Sequence, residues 1–161
     1  MATPFRRPEP KHTDPVVRAI ANNKKAVFGL EVDYTLEAGI ALAGSEVKSL
    51  RGGKCLIQGA HVRVVDGEAM LFGLTINEYV FANRNNHLPD RPRRLLLHAH
   101  EIERLGRELQ AKGSAAILAK LYWVGSRVKV EIAVGTGRKD HDKRHAIRDR
   151  ESKRELARVK R

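Results

Sequence analysis

The chain has little cysteine and no long apolar run. Cys55 is the only cysteine among 161 residues, so an intramolecular disulfide cannot form. No apolar segment approaches the roughly 20 residues that span a bilayer as a helix, and no secretory leader pattern is present. We therefore expect a soluble, cytoplasmic protein.

Catalytic and metal-binding patterns are also scarce. Cys55 has no base beside it in the sequence, and His98 and His100 form an isolated His-x-His pair. On the helix that we predict for this segment, two such residues point in nearly opposite directions and cannot easily share a metal ion. We predict no enzymatic activity, no metal site and no cofactor; a small RNA nuclease or RNA-modifying enzyme stays open as an alternative.

Aromatic residues are few, which limits recognition of bases by stacking. Only eight are present. Phe28 and Tyr34 fall on the predicted inner face of a strand, and one ring of Tyr122-Trp123 is expected inside. Proteins that read single strands need aromatics on an outer face. Recognition of a structured RNA by its shape and backbone is therefore favoured.

Basic charge is abundant, and it lies at the two ends. Of a net charge of +12, residues 138–161 hold eleven Lys and Arg against five Asp and Glu, whereas residues 26–137 hold fourteen against twelve. A nearly neutral body with basic ends predicts a compact domain that presents its termini to a polyanion. The last segment has few bulky apolar residues, which favours nucleic acid over a membrane surface.

Hydrophobic periodicity divides the body into short elements. In the first part of the body we predict a helix from Asp14-Pro15 to about Asn23, a strand over Phe28–Leu36 that continues toward Leu42, and helical turns over Ser45–Leu50. A hairpin of 62–65 and 69–72 across Asp66-Gly67 follows, and then a long loop over 83–94. The last part is predicted as a helix over Leu95–Lys112, a hairpin of 116–124 and 127–134, and a flexible hinge over Gly135–Gly137.

These elements predict a mainly β, α+β protein. Five or six antiparallel strands favour a small oligonucleotide-binding-type β-barrel with flanking helices, because closure removes exposed edges; a β-sandwich is the other option. We expect a disordered lead-in at 1–13, an RNA-binding barrel at 14–137 and a basic tail at 138–161. The tail lacks an apolar stripe, so we predict that it is disordered when free and becomes helical when phosphates neutralise it. A solvated end without function is the alternative.

Several ordered strings carry a more specific signal. They are Glu37-Ala38-Gly39-Ile40-Ala41-Leu42, Gly44-Ser45-Glu46-Val47-Lys48-Ser49-Leu50-Arg51, Asn86-His87, Arg94-Leu95-Leu96-Leu97-His98, Lys129-Val130-Glu131-Ile132-Ala133 and Asp142-Lys143-Arg144. In this order the strings resemble the SmpB (SsrA-binding protein) family of bacterial tmRNA-binding proteins. The resemblance covers roughly residues 20–150.

The resemblance implies a function in ribosome rescue. Members are non-catalytic barrels that bind the tRNA-like domain of tmRNA and deliver it to the vacant A site of a stalled ribosome. Elongation factor Tu takes part through the charged tmRNA. The family's tail becomes a helix in the empty mRNA channel, against small-subunit ribosomal RNA. We expect a monomer. A ribosomal-protein-like barrel with basic extensions is the alternative among binding proteins.

The resemblance also assigns residues to two sites. For tmRNA binding they are Asn23, Lys24, Lys25, Glu37, Leu96 and His98; for the tail in the decoding centre they are Gly137, Lys139, His141, Asp142, Lys143 and Arg144. An acid cannot attract phosphate, so Glu37 is expected to accept from a base or to fix the local fold. For Leu96, a place in the core is the alternative. Where the family usually has Ala-Arg-His-Asp-Tyr, this chain has Ala26-Val27-Phe28-Gly29-Leu30 and lacks the base and the histidine.

Overall fold

The computed structural model describes residues 17–138, 147–149 and 151–152. In these residues the strands are β1 (Val17–Asn22), β2 (Leu30–Ile40), β3 (Cys55–Leu56), β4 (His61–Val65), β5 (Glu68–Phe72), β6 (Thr75–Ile76), β7 (Arg93–Leu96), β8 (Ser114–Val124) and β9 (Arg127–Gly137). The helices are α1 (Lys24–Phe28), α2 (Gly44–Arg51) and α3 (Ala99–Glu108), and a 3-10 turn covers Asn83–Asn85. No helix in the described part of the chain is long and apolar enough to cross a membrane.

Six of the strands form a closed antiparallel ring. Its order is β8, β4, β5, β7, β2 and β9, and it closes because β9 pairs with β2 on one edge and with β8 on the other. Strand β1 adds to the edge of β8, whereas β3 and β6 form a separate two-stranded sheet. This closure confirms the predicted mainly β barrel with flanking helices.

The core lies inside the ring and follows the predicted alternation. On β9, Val128, Val130 and Ile132 are buried, while Arg127 and Lys129, which alternate with them, reach the surface. Helix α3 covers the core with Leu105, which is fully buried. Burial of these apolar side chains is the main stabilising contribution to the fold.

Both predicted hairpins and the predicted helical turns are confirmed. Strands β4 and β5 meet across Asp66 and Gly67, whose φ angles of 50° and 77° define the left-handed pair of a tight hairpin turn. Strands β8 and β9 meet across Gly125-Ser126. Helix α2 occupies the segment predicted at Ser45–Leu50.

The helix predicted to end near Asn23 is wrong over its described part. Val17–Asn22 is strand β1, with Val17 opposite Val124 and Asn22 opposite Lys120 on β8. Main-chain pairing with that edge satisfies the backbone better than one isolated helical turn does. The helix follows instead at α1, which contains Phe28, so the next strand begins at Leu30 rather than at Phe28.

The helix predicted over Leu95–Lys112 starts too early. Arg93–Leu96 is strand β7, which joins β5 to β2 and completes the ring. Helix α3 begins only after His98, whose backbone N–H donates to Glu101 Oε2 at 2.8 Å. The apolar stripe itself was correctly predicted, since Ile102, Leu105 and Leu109 all contact the core.

The hinge predicted at Gly135–Gly137 is also wrong. These residues continue β9 and pair with Val32, Glu31 and Leu30 of β2. Glycine is required at 135 for close approach and not for flexibility, because a Cβ there would lie 1.9 Å from the Glu31 carbonyl oxygen. The register shift of β2 between Val32 and Tyr34 lies beside this contact.

We expect Gly135→Ala to lower the free energy of unfolding by about 3 kcal/mol or more, because the new methyl group meets backbone atoms that cannot rotate away. This loss is at or above the largest values usual for an extra methyl group in a packed core. Gly137→Ala on the same strand is the matched control, since nothing lies within 4 Å of its Cβ position. Urea unfolding of both variants measures the difference. Equal free energies of unfolding would contradict the close approach.

Candidate nucleic-acid interface

The outer surface of the barrel carries a patch of five polar side chains and one leucine across four neighbouring strands. We call it the Glu37 face; it consists of Glu37, Leu96, Lys120, Tyr122, Lys129 and Glu131. Strand register brings these residues together, because Glu37 lies opposite Glu131, Lys129 opposite Tyr122, and Lys120 opposite Glu131. Residues paired in register project on the same side of a sheet.

Glu37 lies at the centre of this face and is held by two donors. Its carboxylate accepts hydrogen bonds from the Tyr122 hydroxyl and from Lys129 Nζ. The hydrogen bond from Lys129, together with that from Tyr122, lowers the pKa of Glu37. Burial and the bond to Glu37 raise the pKa of Tyr122, so its hydroxyl stays a donor. Glu37 thus accepts hydrogen bonds within the protein, as expected of an acid that fixes the local fold, while its part in tmRNA binding stays a prediction.

A second ion pair extends the network along the face. Lys120 Nζ lies 2.9 Å from Glu131 Oε1, and both side chains are partly exposed. Each lysine of the face therefore has a carboxylate partner, which leaves the patch close to electrically neutral. Such a face can offer directional donors and acceptors, but it adds little general attraction for phosphate.

Leu96 stands exposed at the edge of the Glu37 face. It is 57% accessible, so the alternative that placed it in the core is wrong. Leu96 pairs with Gly39 on β2, and a Cβ on that glycine would lie 3.2 Å from the Leu96 Cβ. The absence of a side chain at 39 thus lets Leu96 lie against β2, beside Glu37.

Asn23, in contrast, is buried. Its side chain accepts from the Ala26 N–H at 3.4 Å, as the N-cap of α1, and donates to the Ile57 carbonyl at 3.2 Å. Only 5% of the residue is exposed, so its amide is used within the protein. Asn23 positions α1, whereas Lys24 and Lys25 on that helix are exposed.

His98 lies two residues beyond Leu96 at the start of α3 and is exposed. Its ring stacks on that of His100, with centroids 5.6 Å apart and planes 9° from parallel. The expectation that these two side chains point apart is wrong, because His98 precedes the helix. No group of three or more metal-ligating side chains occurs among the residues that the structure describes. Cys55 is half-buried, and burial raises the pKa of its thiol.

The tail begins at the α1 end of the barrel. Gly137 pairs with Leu30, and the next residue, Arg138, donates its N–H to the Gly29 carbonyl at 3.0 Å. The Arg138 guanidinium lies 5.6 Å from the centre of the Phe28 ring. The other predicted tail residues, Lys139, His141, Asp142, Lys143 and Arg144, fall outside the described residues. Residues 147–149 and 151–152 are helical and exposed.

A buried polar network supports the face from the other side of β7. Glu46 and Arg93 are both fully buried; Arg93 Nε donates to Glu46 Oε1 at 2.8 Å, and Arg91 Nη2 donates to Oε2 at 2.6 Å. Burial raises the pKa of Glu46, but hydrogen bonds from Arg91, the Ala43 N–H and Arg93 outweigh that effect, and the pKa falls below its ordinary value. The carboxylate is therefore ionised.

The same network fixes the long loop before β7. His87 Nε2 donates to the Ile76 carbonyl at 3.0 Å, and Nδ1 of the same ring is hydrogen-bonded to the Ser45 hydroxyl at 2.9 Å. Ser49 donates to the Asn77 carbonyl at 2.6 Å. The strings around Ser45 and His87 thus build the scaffold of the site.

Sequence reasoning missed four members of the Glu37 face, which are Lys120, Tyr122, Lys129 and Glu131. The alternation of charged residues along β9 placed Lys129 on an outer surface, but only the register connects it with Glu37, 92 positions away. Tyr122 is 85 positions from Glu37. Local periodicity carries no information about such pairings.

A closed barrel with a fixed polar outer face, exposed lysines on α1 and a basic C-terminal extension defines a small RNA-binding barrel protein. Comparison with known families supports this class. The model of the SmpB protein family matches residues 20–161. The SsrA-binding protein of Syntrophobacter fumaroxidans is 48% identical over 143 residues, which cover 89% of each chain.

Further relatives agree. The SsrA-binding protein of Nitratidesulfovibrio vulgaris is 49% identical over 148 residues, covering 89% of this chain and 96% of its own. A solved structure described as "tmRNA-SmpB: a journey to the center of the bacterial ribosome" superposes with a TM-score of 0.63 and 38% identity, over 80% of this chain and 94% of the other. The chain belongs to the SmpB family.

Two predicted site residues are expected to respond differently to truncation. Asn23→Ala removes the N-cap of α1 and one of the two hydrogen bonds that the Ile57 carbonyl accepts, the other coming from the Ala60 N–H, so we expect a loss of about 1–2 kcal/mol of stability. Leu96→Ala, on an exposed side chain, is expected to cost less than about 1 kcal/mol while weakening RNA binding. Urea unfolding and RNA titration of each variant check this. A larger stability loss for Leu96→Ala would contradict the assignment.

Proposed function

We propose that this protein binds the tRNA-like domain of tmRNA and delivers it to the vacant A site of stalled ribosomes. The observation that carries the proposal is the Glu37 face. Its Lys120 lies opposite Asn22, close to the start of α1 and to the exposed Lys24 and Lys25. The relatives are SsrA-binding proteins, and the similar solved structure is of tmRNA and SmpB at the ribosome.

The chemistry of the face suits a folded RNA. A carboxylate has about four acceptor positions, of which Tyr122 and Lys129 use two on Glu37. The remaining positions can accept from a ribose 2′-hydroxyl or a base amino group. Leu96 offers an apolar surface next to them, and His98 offers a ring. Contacts of this kind recognise shape, while Lys24 and Lys25 supply attraction to phosphate.

The basic tail has a separate task in this proposal. Gly137, Lys139, His141, Asp142, Lys143 and Arg144 contact ribosomal RNA of the decoding centre, and the rest of the tail enters the empty mRNA channel as a helix. Basic residues suit such a channel because its walls are phosphates. Recognition on the ribosome is thereby divided between the barrel, which holds tmRNA, and the tail, which probes for an absent message.

The protein acts in this scheme as a monomeric cytoplasmic adaptor without catalysis or a cofactor. Elongation factor Tu is reached through the charged tmRNA. The proposal rests on binding chemistry alone: the polar groups of the Glu37 face are engaged with each other, and burial raises the pKa of the one thiol, which does not favour the reactive thiolate.

A chain that ends at Arg138 tests the division of labour. It keeps the bond from Arg138 to Gly29 and the contact with Phe28, so the barrel end is preserved. We expect tmRNA affinity to fall by less than about tenfold, with a difference that shrinks as salt rises, and tagging of nascent chains on stalled ribosomes to be lost.

Full-length protein in the same translation reaction is the control, and circular dichroism confirms that the shortened chain is folded. Loss of tmRNA binding at every salt concentration would overturn the assignment of that step to the barrel. Unimpaired tagging would overturn the role of the tail.

A further inference from the structure

A cavity at one end of the barrel lies outside the predicted site residues. It has a volume of about 490 Å³ and is bounded by β1, the end of α2 and the β8–β9 turn. Its lining consists of Arg18, Arg51, Trp123, Gly125 and Ser126. Two arginines from separate elements therefore face one space, and no acid is among the lining residues.

Neither arginine of this cavity is neutralised by a carboxylate. Within the described residues, Arg91 and Arg93 pair with Glu46, Lys129 with Glu37 and Lys120 with Glu131, but neither Arg18 nor Arg51 takes part in an ion pair. Both are exposed. The dipole of α2 accounts for a positive charge at Arg51, the last residue of that helix. It does not account for Arg18, which lies on β1.

The geometry keeps both side chains near the cavity. Arg18 lies opposite Trp123 in the β1–β8 register, so its side chain emerges on the same side as the indole. Trp123 is 8% exposed and forms the floor. Arginine is suited to such a position because its planar fork of N–H donors matches two oxygens of a phosphate group.

A second cavity links this place to the Glu37 face. It has a volume of about 370 Å³ and shares Trp123 and Ser126 with the first. Its wall also includes Leu96 and Lys129, which belong to the Glu37 face. An RNA chain seated on that face therefore has a continuous path around the end of the barrel to the two arginines.

We propose that Arg18 and Arg51 form a phosphate site for the backbone of the bound RNA, at the end of this path. The site extends the interface beyond the Glu37 face and rests on the proposed binding of tmRNA. The two guanidinium groups hold a phosphodiester, Ser126 offers its hydroxyl as a further donor, and Trp123 closes the floor of the cavity.

Trp123 provides a direct test because it is the only tryptophan of the chain. The tRNA-like domain of tmRNA is titrated into the full-length protein while indole emission and binding are followed at several salt concentrations. We compare the Arg18→Gln/Arg51→Gln double variant with Arg63→Gln/Arg107→Gln, a matched control that removes two exposed, unpaired arginines elsewhere on the described surface.

We expect the Arg18/Arg51 variant to lose roughly tenfold or more in affinity, to show a salt slope smaller by about one to two, and to lose most of the change in Trp123 emission. The control variant should keep the emission change and stay close to the wild-type affinity. Circular dichroism shows that both are folded.

Equal affinities and slopes for the two double variants would overturn the proposal. A full emission response to micromolar inorganic phosphate alone would overturn RNA as the ligand. Failure of the proposed function has a different signature: the wild-type protein would bind an unrelated structured RNA of equal length as tightly as tmRNA, whatever the arginine variants do.

Discussion

The buried ion pair between Glu46 and Arg93 is the interaction on which the candidate site depends. Removing two charges from water is costly, and the pair is tolerated only because every polar group of it has a partner. Glu46 also accepts from Arg91 and the Ala43 N–H, while Arg93 also donates to the carbonyls of Leu74, Arg91 and Pro89. The pKa of Glu46 is lower in the folded protein than in the unfolded chain. Ionised Glu46 therefore stabilises the fold fully at pH values above the pKa that it has in the unfolded chain, and this stabilisation is lost as the pH falls through the pKa of the folded protein.

The position of the Glu37 face follows from this pair. Arg93 begins β7, the short strand that closes the ring between β5 and β2. Closure places Leu96 against Gly39, two residues from Glu37, and sets His98 at the start of α3. The face therefore combines side chains from four strands on a rigid wall, and its lysines are held by carboxylates. General attraction for RNA is left to α1 and to the basic ends of the chain.

The sequence predicted those parts of the fold that local patterns determine. Strict alternation located β9, the Asp66-Gly67 pair located a hairpin, and the apolar stripe through Leu105 located α3. Strand β1 was missed because its conformation is set by the edge of β8 and not by its own periodicity. Strand β7 was missed because three leucines in a row read equally well as the first turn of a helix.

The site residues were predicted by resemblance, and physical reasoning could not have sorted them by role. Asn23 and Leu96 have the same status in the sequence, yet one is a buried cap and the other an exposed apolar contact. The partners of Glu37 depend on register between strands far apart in the chain. The buried network of Glu46 and Arg93 likewise has no local signature, since two charged residues 47 positions apart give no sign of pairing.

The proposed function depends most directly on binding of tmRNA to the outer face of β8, β9, β2 and β7. Hydroxyl-radical footprinting of the full-length protein, with and without the tRNA-like domain of tmRNA, tests it directly. Leu96 and Tyr122 on the face are compared with Val65 at the β4–β5 turn, which is 43% exposed and lies outside the face. We expect RNA to protect Leu96 and Tyr122 and to leave Val65 reactive; protection of Val65 with full reactivity of Leu96 would show that tmRNA binds elsewhere.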